Sequence, residues 1–100
     1  MNTCYVDAAA NAIADLVAPG ELTGNWTITR INVPVRAGRG QGIGGRLLRR
    51  ILADADAEGI TLQLEVSPSD GLDYDQLTAW YERHGFRRTA SGYMRRSAHA

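Results

Sequence analysis

Residues 39–45 (RGQGIGG) hold four glycines in seven positions, directly before an apolar-periodic segment that contains three arginines. Glycine has no side chain to hold a ligand away from the backbone, and it tolerates positive φ angles. Backbone N–H groups at the start of a helix point outward at the positive end of the helix dipole, so they bind anions. This stretch therefore predicts a binding site for an anionic ligand, with Arg39 and Arg46 as flanking charges.

The elements on either side of the glycines predict a βαβ unit. Residues 25–35 contain apolar residues on both parities, which is typical of a strand covered on both faces. From Ile43 onward the apolar spacing is that of an amphipathic helix, and Gly59 lies where a C-terminal cap belongs. Residues 60–66 (ITLQLEV) alternate as a second strand that ends near Glu65. We expect the two strands to be parallel.

Outside this unit the patterns predict two more helices and a hairpin. Residues 5–18 are rich in alanine, include Ile13 and Leu16, and stop at Pro19-Gly20, which favours an N-terminal helix. Asp73 and Gln76 are spaced as a capping box for a helix that precedes Gly85. Residues 86–88 and 93–95 read as two short strands joined by a turn at Ser91-Gly92.

Composition limits the class of protein. One hundred residues with 44% hydrophobic content and zero formal charge predict one small folded domain, residues 1–100. No apolar stretch has the length of a membrane span or a secretory segment, so we expect a cytoplasmic protein without a membrane partner. Cys4 is the single cysteine, which leaves no disulfide and no thiolate metal cluster, and we expect no metal. The arginines lack an aromatic stacking surface, so we expect no nucleic-acid partner.

Two phosphate-binding templates fit the glycines poorly. A Walker loop requires lysine, and all eleven basic residues are arginine. A dinucleotide fingerprint is matched by Gly40, Gly42 and Gly45, with Glu65 as the ribose-binding acid. However, residues 36–39 separate these glycines from the strand, and only about 35 residues follow the unit, too few for a second mononucleotide half. A dinucleotide-binding fragment remains the weaker alternative.

Two motifs resemble the Gcn5-related N-acetyltransferases (GNAT). Residues 39–44 (RGQGIG) fit the family's Q/R-x-x-G-x-G/A motif, and residues 77–86 (LTAWYERHGF) look like its late helix and turn. The resemblance covers residues 26–96, about two thirds of the chain. It implies a fold of the α/β class whose sheet is mixed, as in α+β proteins. This is the compact acyl-CoA N-acyltransferase fold, here with a shortened N-terminal part. It also implies acetyl-CoA as co-substrate.

The resemblance assigns the cofactor-binding positions. The pyrophosphate of acetyl-CoA would contact the backbone of the glycine stretch, and the pantetheine arm would pair with the end of the preceding strand. The cofactor-binding residues are then Val33, Val35, Arg39, Gly40, Gln41, Gly42, Ile43, Gly44, Gly45 and Arg46. Arg30 and Arg36 could contact the adenosine phosphate or make no contact with it.

The resemblance also implies the catalytic residues. Tyr81 matches the tyrosine that protonates the departing thiolate in similar enzymes, and a phenol is a competent donor to it. Tyr81 could instead be a core residue. No motif marks the base, for which Glu65 is the first candidate and Asp70 the second, although Glu65 could equally face solvent. The expected reaction is acetyl transfer to a primary amine, on a protein lysine or a small amine.

The competing class of protein is a non-catalytic CoA-binding or protein-interaction module. A reduced substrate-binding side would suit an exposed lysine on a protein, and less covered sheet edges are compatible with a homodimer.

Overall fold

The fold is a six-stranded sheet with two helices. The computed structural model describes residues 1–9, 11–19, 25–32, 42–67 and 73–98. In chain order the elements are β1 (Cys4–Asp7), β2 (Ala12–Val17), β3 (Trp26–Asn32), α1 (Ile43–Glu58), β4 (Leu62–Glu65), α2 (Tyr74–Arg83), β5 (Arg87–Arg88) and β6 (Tyr93–Arg96). No helix in the described part of the chain is long and apolar enough to cross a membrane.

The sheet is mixed, as expected. Its strand order is β1-β2-β3-β4-β6-β5. The neighbouring strands β3 and β4 are parallel, and every other adjacent pair is antiparallel. Helix α1 connects the two parallel strands and ends on Gly59 in the left-handed conformation. The predicted βαβ unit and its C-terminal cap are therefore confirmed, as is the hairpin of β5 and β6.

The predicted helix over residues 5–18 is wrong. The described part of this segment forms the hairpin of β1 and β2, with Asn11 at φ 54° just before β2. Asparagine tolerates positive φ better than most residues, so it suits the turn. In β2 the buried side chains alternate with more exposed ones, which is the period of a strand. Pairing with β3 outweighs the modest helix preference of the alanines.

Strand β3 is not covered on both faces as predicted. Its register with β2 shifts, because Asp15 pairs with Arg30 whereas the next residue, Leu16, pairs with Ile28. Thr29 is therefore an extra residue, a β-bulge, and its hydroxyl donates a hydrogen bond to the Asp15 carbonyl at 3.1 Å. The bulge places Ile28 and Ile31 on the same face, which explains why the apolar residues change parity.

One face of the sheet packs against both helices. A single core cluster joins buried strand residues to the apolar stripe of α1 and to Phe86, and Leu77, Trp80 and Tyr81 of α2 pack against it. The other face carries no helix within the described ranges, and we call it the open face. Its exposed side chains include Val6, Glu65 and Tyr93.

A buried ion pair ties β6 to both helices. Arg96 is only 5% exposed, and its guanidinium contacts the carboxylate of Asp56 on α1 through two hydrogen bonds, of 2.8 and 3.0 Å. Its Nε donates a third hydrogen bond to the carbonyl of His84, the residue that caps α2. The sheet and the two helices are therefore held at defined positions relative to one another.

Candidate active site

The two parallel strands pair over only three residues each. β3 and β4 are paired from Trp26 and Leu62 to Ile28 and Leu64. Beyond this point β3 continues to Asn32 along β2, with no partner on β4. Among the described residues, backbone groups on that side of β3 have no strand partner at the carboxyl ends of both strands, the edge at which α/β sheets bind ligands.

The start of helix α1 lies at this same edge, because a crossover helix runs back antiparallel to the strand before it. Gly42 occupies the N-cap position at φ 76°, a conformation that favours glycine. The helix has no side-chain cap at this end and no acidic residue in its first turn. The first N–H groups of a helix have no partner within the helix. Within the described residues no side chain caps these N–H groups, so they can bind an anion.

The side chain of Arg46 is already paired. Its Nη2 atom lies 3.0 Å from Oδ2 of Asp7 at the end of β1. Arg30, the other described candidate for a phosphate contact, lies 2.6 Å from a carboxylate oxygen of Asp15 on the neighbouring strand. Because both guanidinium groups are paired, an anion at this end of α1 would rely first on backbone N–H groups.

Several sequence-predicted positions lie outside the described residues. They are Val33, Val35, Arg36, Arg39, Gly40, Gln41 and Asp70. The described remainder of the glycine stretch, from Gly42 to Arg46, lies at the N-terminus of α1.

Tyr81 is carried by α2 on the covered side of the sheet. The helix begins at the predicted capping box. Asp73 Oδ1 accepts a hydrogen bond from the Gln76 backbone N–H at 2.8 Å, and Gln76 Oε1 accepts one from the Asp73 backbone N–H at 3.0 Å. The Tyr81 ring packs edge-on against Trp80 and Phe86, with centroids 4.9 and 5.6 Å away. Burial raises the pKa of Tyr81 to about 12. The phenol is therefore a neutral hydrogen-bond donor at neutral pH.

Thr78 is a buried polar residue that the sequence analysis did not single out. It lies one helical turn before Tyr81, is fully buried, and its hydroxyl has no hydrogen-bond partner among the residues that the structure describes. Buried hydroxyl groups are normally paired, because desolvation costs free energy that only a partner returns. Its sequence neighbours gave no signal, since a threonine within an amphipathic helix is typical of the half-exposed border.

Glu65 lies on the other side of the sheet from Tyr81. It is the last residue of β4, it is exposed, and it pairs across the sheet with Tyr93. The side chains before and after it, Leu64 and Val66, are buried in the core, so Glu65 points to the open face. A ligand in contact with both residues would therefore have to lie at the carboxyl edge of the sheet, where β3 and β4 stop pairing.

Metal ions in proteins are held by groups of histidine, cysteine and carboxylate side chains. No group of three or more histidine, cysteine, aspartate or glutamate side chains there could hold a metal ion.

Comparison with known proteins identifies the family. A family model described as "Acetyltransferase (GNAT) domain" matches residues 34–88, more than half of the chain. With a mixed sheet, one parallel pair and a glycine-capped helix between its two strands, the molecule has an acetyltransferase fold. The chain belongs to the GNAT family of acetyltransferases. A search of curated proteins finds no significant match.

Solved structures share the fold. The anti-CRISPR protein AcrVA5 is 18% identical with a TM-score of 0.73, over 94% of this chain and 98% of that protein. The ribosomal-protein-S18-alanine N-acetyltransferase of Escherichia coli is 26% identical with a TM-score of 0.66, over 89% of this chain. A GNAT-family acetyltransferase of Staphylococcus aureus Mu50 is 15% identical with a TM-score of 0.65, over 94% of this chain. The present chain spans 63% and 65% of the length of the last two.

Proposed function

We propose that this protein transfers the acetyl group of acetyl-CoA to a primary amine. The observation that carries the proposal is the N-terminus of α1, which is capped by Gly42 in the left-handed conformation and has no acidic residue in its first turn. It lies at the edge where β3 and β4 stop pairing. A pyrophosphate next to an open sheet edge is the chemistry that this arrangement suits.

The residues present fit acetyl-CoA. The backbone N–H groups of Ile43, Gly44 and Gly45 would bind its phosphates, together with Gly40 and Gln41 by the family motif. Arg39 would add charge, and Arg46 could contribute if it left Asp7. The amide-bearing arm would bind backbone groups at the end of β3, near Val33 and Val35. When bound, acetyl-CoA supplies a thioester, whose cleavage releases a thiolate.

Tyr81 is the proposed general acid. Its burial keeps the phenol protonated, with a pKa of about 12, so the proton is present throughout the physiological range. A thiolate is less basic than this phenolate, so complete transfer is uphill, and the phenol acts first as a strong hydrogen-bond donor. Loss of this donor should slow acetyl transfer more than it weakens binding.

Glu65 is the proposed general base. It is an exposed carboxylate on the open face, at the carboxyl end of β4. An amine approaching from the open face would meet Glu65 and lose a proton to it, directly or through water. Acetyl donor and amine acceptor would then enter from opposite sides of the sheet.

A protein amine is the proposed acceptor. The open face has no helix above it in the described part of the chain, so a large substrate can approach it. The E. coli relative is named for acetylating an alanine of a ribosomal protein. We therefore infer a lysine or N-terminal amine of a protein in preference to a small buried amine.

Thermal unfolding with and without ligand tests the acetyl-CoA site. Acetyl-CoA at 100 times its Kd should stabilise the protein by about 2.7 kcal/mol, and its melting temperature should rise by several degrees. The same concentration of NAD should give no shift. A shift with NAD alone would favour the dinucleotide alternative, and no shift with either ligand would contradict the site.

A pair of glycine variants locates the site on α1. Gly42 and Gly59 cap opposite ends of this helix, both at positive φ, and a Cβ at either would have no neighbour within 4 Å. Gly42→Ala and Gly59→Ala should each destabilise the protein by about 1 kcal/mol. Only Gly42→Ala should also reduce the shift caused by acetyl-CoA. Equal shifts in both variants would place the ligand elsewhere.

A further inference from the structure

Two arginines lie directly opposite each other at the end of the open face. Arg87 of β5 pairs with Arg95 of β6 in the antiparallel hairpin, so their side chains project from the same face. Both are exposed, whereas Met94 and Arg96 on either side of Arg95 are buried. The alternation along β6 therefore places the Arg87–Arg95 pair on the open face.

The Arg87–Arg95 pair has no acidic partner among the described residues. Like charges directly opposite in a sheet repel each other. Arg30, another arginine of the open face, is instead paired with Asp15. The neighbour of Arg95 on β4 is Gln63, whose amide donates to the Thr27 hydroxyl at 3.0 Å. The described part of the sheet therefore supplies no carboxylate to neutralise these two guanidinium groups.

The Arg87–Arg95 pair is close to the candidate base. Glu65 pairs with Tyr93, which is two residues before Arg95 on the same strand and the same face. Two residues of a strand span about 7 Å, and adjacent strands lie about 4.8 Å apart. Glu65 and Arg95 are therefore separated by roughly 8 Å at the backbone, the length of two or three extended residues.

We propose that Arg87 and Arg95 bind an acidic segment of the acceptor protein, with a carboxylate two to four residues from the amine that is acetylated. This inference rests on the proposed function and adds the sequence preference of its substrate. Guanidinium groups bind carboxylates through paired hydrogen bonds, and two adjacent groups suit a segment with consecutive acids. The pair lies beside Glu65, the proposed base for an amine, which favours a peptide that carries this amine over nucleic acid.

Acetylation of matched peptides tests this preference. One peptide carries a lysine with three glutamates two to four residues away, and the second has glutamines at those positions. The wild-type protein should show a kcat/KM about tenfold higher for the acidic peptide. The double variant Arg87→Gln, Arg95→Gln should lose this preference and keep its rate on the neutral peptide. Arg88→Gln is the control, because Arg88 is exposed on the same strand but pairs with Met94 and projects from the other face.

A charge reversal separates recognition from misfolding. The variant Arg87→Glu, Arg95→Glu should prefer a third peptide with arginines in place of the glutamates, a gain that a damaged fold would not produce. Wild-type rates that are equal for the acidic and neutral peptides would overturn the proposal.

A binding measurement makes the inference independent of turnover. Fluorescence anisotropy of the labelled acidic peptide, without acetyl-CoA, should show binding that falls about tenfold in the Arg87→Gln, Arg95→Gln variant. Binding without any acetylation would support the acidic docking surface while contradicting the proposed function. If the acidic peptide is neither bound nor acetylated, the inference is overturned. Labelled duplex DNA that binds as tightly and displaces the peptide would overturn it too.

Discussion

At the scale of single residues, the two candidate catalytic groups owe their properties to opposite environments. Tyr81 lies between aromatic rings and is shielded from water, so its proton is held tightly. Glu65 stands exposed on the open face. A general acid benefits from being protonated, and a general base benefits from access to solvent and to the incoming amine. The sheet separates these two environments.

The raised pKa values of Tyr81 and Tyr5 should make the folded protein less stable at alkaline pH. Burial raises the pKa of Tyr81 to about 12, and burial with a hydrogen bond to Asp54 does the same for Tyr5. Unfolded tyrosine ionises near pH 10, so between about pH 10 and 12 the folded chain binds more protons than the unfolded chain. The free energy of unfolding should therefore be insensitive to these groups below pH 9 and should fall as the pH rises through this interval.

Urea unfolding at a series of pH values between 9 and 12 checks this expectation. Tyr81→Phe should show a shallower fall than the wild type, because the variant has one fewer buried phenol to ionise. Tyr74→Phe is the control, since Tyr74 is 44% exposed, and it should keep the wild-type slope. A Tyr81→Phe variant with the wild-type slope would show that burial does not hold this proton.

Residue positions were predictable where a motif marked them. The sequence motif indicated Tyr81 within a late helix, and the alternation of residues 60–66 indicated that Glu65 ends a strand. The sequence did not indicate that Thr78 is fully buried, or that Arg46 is paired with Asp7. Both depend on contacts between elements far apart in the sequence, which local patterns do not contain.

At the scale of elements, the start of α2 controls the placement of Tyr81. The capping box of Asp73 and Gln76 pairs two backbone N–H groups that the helix itself leaves unpaired. Tyr81 lies about two turns further along this helix. Fraying of the first turn would therefore loosen the element that positions the proposed acid.

Asp73→Ala should destabilise the protein by about 1 kcal/mol, because it removes the side-chain cap. In a domain of this size the melting temperature should fall by several degrees. Asp75→Ala is the matched control, since Asp75 lies in the first turn of α2 and contributes only its charge near the helix dipole. Calorimetry of the two variants measures both losses of stability. Equal losses would show that the capping box contributes no more than one charge near the helix dipole.

Element types followed from the sequence where periodicity and caps agreed. α1 has a strong apolar period and a terminal glycine, and α2 has its capping box, so both were predicted correctly. The N-terminal hairpin was not, because its alanines favour a helix locally whereas pairing with β3 decides the outcome. The bulge at Thr29 was also missed, since it is visible only in the register between two strands.

At the scale of the whole molecule, the Arg96–Asp56 pair joins the last strand to both helices. Arg96→Met should destabilise the protein by about 3 kcal/mol, because the Asp56 carboxylate and the His84 carbonyl each lose a buried partner. The melting temperature should fall by more than about 10 °C.

Arg30→Met is the control for this loss. The Arg30–Asp15 pair has a similar distance, but the Arg30 side chain is 55% exposed. Exposed pairs contribute about 0–1 kcal/mol, so this variant should unfold within a few degrees of the wild type. Similar losses in Arg30→Met and Arg96→Met would show that burial does not strengthen the tie between β6 and the helices.

The central claim is that this arrangement catalyses acetyl transfer with Tyr81 as the acid. The most direct measurement compares wild type and Tyr81→Phe for CoA release from acetyl-CoA in the presence of the lysine peptides, with acetyl-CoA affinity measured by titration calorimetry. We predict a fall in kcat of about 100-fold with acetyl-CoA affinity changed less than about twofold. Equal rates for the two proteins, or acetyl-CoA binding with no turnover in the wild type, would contradict the claim, and the second result would favour a non-catalytic CoA-binding module.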